Sequence, residues 1–184
     1  MTYEIEKRSL LTNEAEFERV KKWLDSNAIF VDSKNMVSYL FREPYFLRIR
    51  VFEGKDFFVV THKSGDYNDV AREETETQES LCNLNDLILD LKTKGFDKCS
   101  RIKTERLTYS FKGLKIELNK IDFLGMIVEV EALTNDASKI DEFERVVIDV
   151  LELLGLDELN ADIYQKMMDN MYIKSLISVE EQKF

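Results

Sequence analysis

The chain has 184 residues, 44% of them hydrophobic and 34% charged, with a formal net charge of −10. That length suits one domain with a sizeable core, and the negative charge argues against nonspecific binding to nucleic acid or to a membrane surface, both of which need a basic field. No apolar run is long enough for a transmembrane helix, Met1 to Leu11 is too charged for a secretory leader, and Cys82 and Cys99 do not make a disulfide framework. A cytoplasmic location and two inert thiols are therefore expected.

In chain order, residues 2–9 alternate with period two and read as a strand. Thr12 or Asn13 can cap a helix carrying Phe17, Val20 and Leu24 on one face, with Glu16 in its first turn. Four more strands are expected over 36–41, 45–53, 56–63 and 69–78. Leu84, Leu87, Ile88 and Leu91 then repeat at helical spacing and stop at Gly95. Strands over 100–111, 114–121 and 126–133 follow. Ile140, Phe143, Val146, Val147, Val150, Leu151 and Leu154 form a helical stripe that stops at Gly155, and a short helix holds Ile163, Met167 and Met168. One Pro, six Gly and the lack of a linker or repeat give one domain over 1–172 and a tail over 173–184. His62 falls out of phase with Lys63 and is expected to face outward, and Trp23 is expected in a core or helix contact.

The charges share the strands' period. Glu4, Glu6 and Arg8 fall on one face, as do Arg48 with Arg50, Arg72 with Glu74 and Glu76, Glu117 with Asn119, and Glu129 with Glu131. Lys63 ends one strand; Arg106 lies in another, with Lys103 nearby. For any single strand a solvated charged face is the ordinary explanation. Repetition across the sheet changes the balance, as does Arg at five of six basic positions (Arg8, Arg48, Arg50, Arg72 and Arg106, against Lys63), because Arg grips phosphate oxygens bidentately. A closed barrel accommodates the pattern, with apolar faces outward under the helices and charged faces lining a polar lumen. Paired carboxylates there suit Mg²⁺ or Mn²⁺, and gathered cations suit a polyphosphate.

On these residues the chain resembles the CYTH superfamily, the triphosphate tunnel metalloenzymes, which includes class IV adenylyl cyclases, thiamine triphosphatases and inorganic triphosphatases. The family's Glu-x-Glu-x-Lys signature corresponds to EIEKR, with Glu4, Glu6 and Arg8. Its later strands correspond to LRIR, VVTHK ending at Lys63, REETE starting at Arg72, KTERLTY, and the closing LNKIDFLGMIVEVE. The resemblance runs from about Thr2 to Met168 and implies an α+β fold, a closed eight-stranded antiparallel β-barrel with helices packed outside. It implies substrate contacts from Arg48, Arg50, Lys63, Arg72, Lys103 and Arg106, with Arg8 and Lys63 in the chemistry. Glu4, Glu6, Glu117, Asn119, Glu129 and Glu131 would hold Mg²⁺ or Mn²⁺, and Glu74 and Glu76 would line the lumen. The implied partner is a triphosphate-bearing small molecule: tripolyphosphate, thiamine triphosphate or ATP. Hydrolysis of the terminal phosphate is the favoured reaction; cyclisation of ATP, or binding without turnover, are the alternatives, in a monomer or homodimer. Two departures stand out. Asn119 occupies the place of the family's Asp, removing a charge, and Arg8 that of the signature Lys, which in the family's triphosphatases orients the attacking water.

Overall fold

Alternation in the first strand has a direct structural outcome. In β1 (Tyr3–Leu11) Ile5 and Leu11 are buried among apolar neighbours, while Glu4, Glu6 and Arg8 point to the other side. The computed structural model describes residues 3–64 and 73–179. They form nine strands and four α-helices: β1, α1 (Glu14–Asn27), β2 (Ile29–Phe41), β3 (Leu47–Phe52), β4 (Phe57–Ser64), β5 (Glu73–Ser80), α2 (Leu84–Thr93), β6 (Lys98–Phe111), β7 (Leu114–Ile121), β8 (Gly125–Thr134), α3 (Ile140–Leu153), α4 (Ala161–Lys174) and β9 (Leu176–Ser178). None of the helices is long and apolar enough to cross a membrane.

The residues group into two compact units. The first comprises Met1–Lys34 and Glu105–Met167. Here β8 lies between β1 and β7, antiparallel to both. The sheet's apolar face carries Ile5, Leu114, Ile116, Leu118, Val128 and Val130; α1 adds Phe17, Val20 and Leu24, and α3 adds Val147, Val150 and Leu151. Burial of these stripes supplies the main stabilisation of both helices. Asn13 caps α1, its side chain accepting from the Glu16 N–H at 3.0 Å, and Glu16 in turn accepts from the Thr12 N–H at 2.8 Å. Trp23 meets Phe111 edge-on at 5.3 Å, the core contact expected of it.

The second unit comprises Asn35–Thr104 and Met168–Phe184. Its strands β3 and β4 pair antiparallel with each other, and with β2 and β5 on either side. Phe41, Leu47, Ile49, Phe58 and Phe96 make a second core with Leu84, Ile88 and Leu91 of α2. His62 is exposed, as expected, and stacks on Tyr45 at 6.0 Å. β9 pairs Leu176–Ser178 with Lys98–Ser100 and buries Val179. A three-residue strand is too short for any periodicity to show in the sequence.

Following the strand hydrogen bonds gives the order β1-β8-β7-β6-β2-β3-β4-β5, with β9 beside β6. No described residues pair β1 with β5, so this path has two ends. The expected closed eight-stranded barrel is therefore corrected to an antiparallel sheet that does not close, within the expected α+β class. Alternation assigns side chains to faces, but closure depends on strand tilt and stagger, which alternation does not encode. The start of β2 was also missed. Ile29, Phe30 and Val31 are three consecutive apolar residues, all exposed, without a period-two pattern.

Candidate functional site

In the first unit, strand register brings the charged residues of β1, β7 and β8 into two rows. Arg8 stands opposite Glu129, which stands opposite Glu117; Glu6 stands opposite Glu131, which stands opposite Lys115. The turn between β6 and β7 places the fourth strand. Lys112 and Gly113 both have positive φ, 52° and 82°, as a two-residue type I′ hairpin requires, and Gly takes that conformation without a Cβ clash. Arg106 of β6 thereby reaches β7. Its Nε donates to Asn119 Oδ1 at 2.7 Å, and its Nη1 lies 2.8 Å from Glu117 Oε2.

The rows form one ion-pair lattice. Arg8 donates through Nε to Glu129 Oε1 at 2.9 Å and through Nη2 to Glu6. Lys115 pairs with Glu131 and approaches Glu117 at 3.5 Å. The buried Asn119 amide bridges, accepting from Arg106 and donating to Glu129 Oε2 at 2.9 Å. Glu4 is exposed at the margin and contributes its charge to the lattice. Carboxylates outnumber cations here. Burial, reinforced by the charge of Glu129 and only partly offset by Arg8, pushes the Glu6 carboxyl up to about 8. Burial opposes the charge of Arg8, but Glu6, Tyr164 and Glu129 outweigh it and hold its pKa above the ordinary value.

In the second unit Arg48 and Arg50 share a face of β3. Arg50 pairs with Glu76 of β5; the buried Thr61 hydroxyl accepts from Arg50 at 3.4 Å and donates to Glu76 at 3.1 Å. Arg48 approaches Glu76 at 3.9 Å. Lys63 of β4 stands opposite Glu74 in the register. Lys103 is exposed and lies three residues from Arg106, an odd offset that a regular strand presents on opposite faces. Arg72 lies outside the described residues.

The family model of the CYTH domain matches residues 2–163. The chain belongs to the CYTH domain family. Among solved structures it is similar to the PH1819 protein of Pyrococcus horikoshii, at 22% identity and TM-score 0.70, covering 90% of this chain and 98% of that one. It is similar to a second protein of that organism, PH1012, at 22% identity and TM-score 0.65, covering 84% and 91%. It also resembles HpAC1 of Hippeastrum, described as a candidate adenylyl cyclase with a dominant triphosphatase activity, at 13% identity and TM-score 0.61, covering 90% and 96%. No curated protein matches the chain. These identities establish a shared fold.

Glu6 and Arg8 thus meet Glu131 and Glu129 through a single register, β1 on β8. Among the described residues, no three carboxylate, thiol or imidazole groups gather in an arrangement that could hold a metal ion. The donor chemistry nevertheless fits a hard divalent cation. Glu6, Glu129 and Glu131 offer carboxylate oxygen, and a cation would counter the burial and the Glu129 charge that together raise the Glu6 pKa. The carboxylates are instead turned onto Arg8, Arg106 and Lys115.

Sequence reasoning missed three participants. Lys115 stands two residues before Glu117 and was legible from alternation alone. Thr61 has the same parity as Lys63 on β4, a weak signal. Tyr164 places its ring over the Arg8 guanidinium at 4.6 Å and left no trace in any strand pattern.

Proposed function

We propose that the chain processes a triphosphate with a divalent cation, most simply by hydrolysis of the terminal phosphate. The observation that carries this reading is the lattice on β1, β8, β7 and β6. It sets three basic side chains, Arg8, Arg106 and Lys115, beside four carboxylates, Glu6, Glu117, Glu129 and Glu131. Alternating cations and carboxylates suit a metal–polyphosphate complex, in which the metal takes carboxylate oxygen and the phosphates take the guanidinium forks. In this reading Glu6, Glu129 and Glu131 hold Mg²⁺ or Mn²⁺, with Glu4 and Glu117 beside them, and the metal supplies charge neutralisation on the phosphoryl oxygens. Arg8 and Arg106 grip phosphate; Arg48, Arg50, Lys63 and Arg72 are the further substrate contacts that the family resemblance implies. Phosphoryl transfer asks chiefly for such positioning and charge stabilisation. Hydrolysis is preferred over cyclisation because it needs neither an adenine pocket nor a bound 3′ hydroxyl. Binding without turnover is the second reading, favoured by the engagement of every lattice carboxylate with the chain's own cations.

Incubation with Mg²⁺ or Mn²⁺ and, separately, tripolyphosphate, thiamine triphosphate or ATP tests the proposal by product identification. Orthophosphate release is expected. Cyclic AMP with pyrophosphate from ATP would move the assignment to a cyclase, binding without products to a carrier, and failure to bind any of the three would sink the proposal.

A further inference from the structure

Arg8 occupies a position where the CYTH signature has Lys, and its surroundings differ from those of a lone cation. Two carboxylates, Glu6 and Glu129, meet its edge. The guanidinium carbon lies over the Tyr164 ring, 4.6 Å from its centroid. The ring is held there by local structure. The Leu159 N–H donates to the carbonyl of Arg8 itself at 2.7 Å, tying the approach to α4 onto β1. Asn160 then caps α4, its side chain accepting from the Asp162 and Ile163 N–H groups at 2.9 and 3.2 Å. Tyr164 is therefore fixed one helical turn beyond a cap that is itself anchored to the residue it covers.

We propose that Tyr164 is a positioning residue that makes Arg8 a workable replacement for lysine at the triphosphate site. A planar guanidinium stacks on an aromatic face, whereas an ammonium does so less specifically. If Glu6 and Glu129 turn to a divalent ion, Arg8 loses its two edge partners. The ring contact does not depend on those carboxylates. It keeps the guanidinium plane in place, with its donor fork directed at a phosphate oxygen. The inference deepens the proposed function and rests on it for the substrate.

Two readouts test the pair. In the first, the Arg8 Nε–H resonance, assigned by its loss in Arg8→Lys, is compared in the unsubstituted protein, Tyr164→Phe and Tyr164→Leu. A ring-current shift is expected in the first two and its loss in the third. In the second, Mg²⁺–tripolyphosphate binding is measured by calorimetry. Tyr164→Leu should weaken it roughly tenfold and Tyr164→Phe should preserve it, since the ring and not the hydroxyl makes the contact. Arg8→Lys should weaken binding in the unsubstituted protein and add little in the Tyr164→Leu background. Equal affinities for Leu and Phe, or additive effects of the two sites, would overturn the positioning role. No binding by the unsubstituted protein would remove the triphosphate, and the ring-current comparison would then still decide whether Tyr164 holds Arg8.

Discussion

Glu6 and Asn119 show how single side chains adjust the charge of the lattice. Glu6 titrates well above its ordinary value of 4.5, at about 8, because burial and Glu129 disfavour its ionised form. Its folded-state pKa is raised, so the folded protein holds a proton that the unfolded chain releases. The stabilisation is complete below about 4.5 and disappears as pH rises through about 8. Chemical denaturation of the metal-free protein between those limits should show stability falling with pH, and Glu6→Gln should flatten the slope; equal slopes would contradict the assignment. Asn119 accepts from Arg106 and donates to Glu129 at once, which no ionised carboxylate can do. Asn119→Asp puts a carboxylate at this position. It should tighten Mg²⁺ binding measured by calorimetry, several-fold on the scale of one added hard oxygen charge, while losing the bond to Glu129.

At the level of elements, helices and strands act through the faces they bury. Leu151 of α3 is almost fully buried in the first unit's core. Leu151→Ala should cost about 2–5 kcal/mol in equilibrium unfolding. β9 performs a smaller task in the second unit. It pairs with the start of β6, where Cys99 is fully buried and burial pushes its thiol up to about 12, while Cys82 is exposed. Native thiol titration should find one fast-reacting cysteine. Truncation after Lys174 should make Cys99 reactive as well; an unreactive Cys99 in the truncated chain would show that β9 does not guard it.

For the whole molecule, the net charge of −10 opposes any free polyanion, and only local cations offset it. Tripolyphosphate should therefore bind more tightly with Mg²⁺ than without, because the complex carries less negative charge; calorimetry with and without the ion measures the difference. The two units each have a core of their own, and each carries part of the charged set: Glu6, Arg8, Arg106, Glu129 and Glu131 in one, Arg48, Arg50 and Glu76 in the other.

Much of this was legible in the chain alone. Period-two alternation assigned Glu6, Arg8, Glu129 and Glu131 to one face of their strands and the buried valines and isoleucines to the other, because neighbouring side chains on a strand must point oppositely. The helical stripes, and Gly95 and Gly155 at their ends, followed from equally local rules. Family membership followed from the order of the motifs. What the sequence could not determine is long-range geometry. The register that sets Arg8 against Glu129, the Arg106–Asn119–Glu129 bridge and the ring of Tyr164 over Arg8 join residues far apart in the chain. Whether the terminal strands meet is likewise a matter of twist and stagger summed over the sheet, and there the structure, not the alternation, decided.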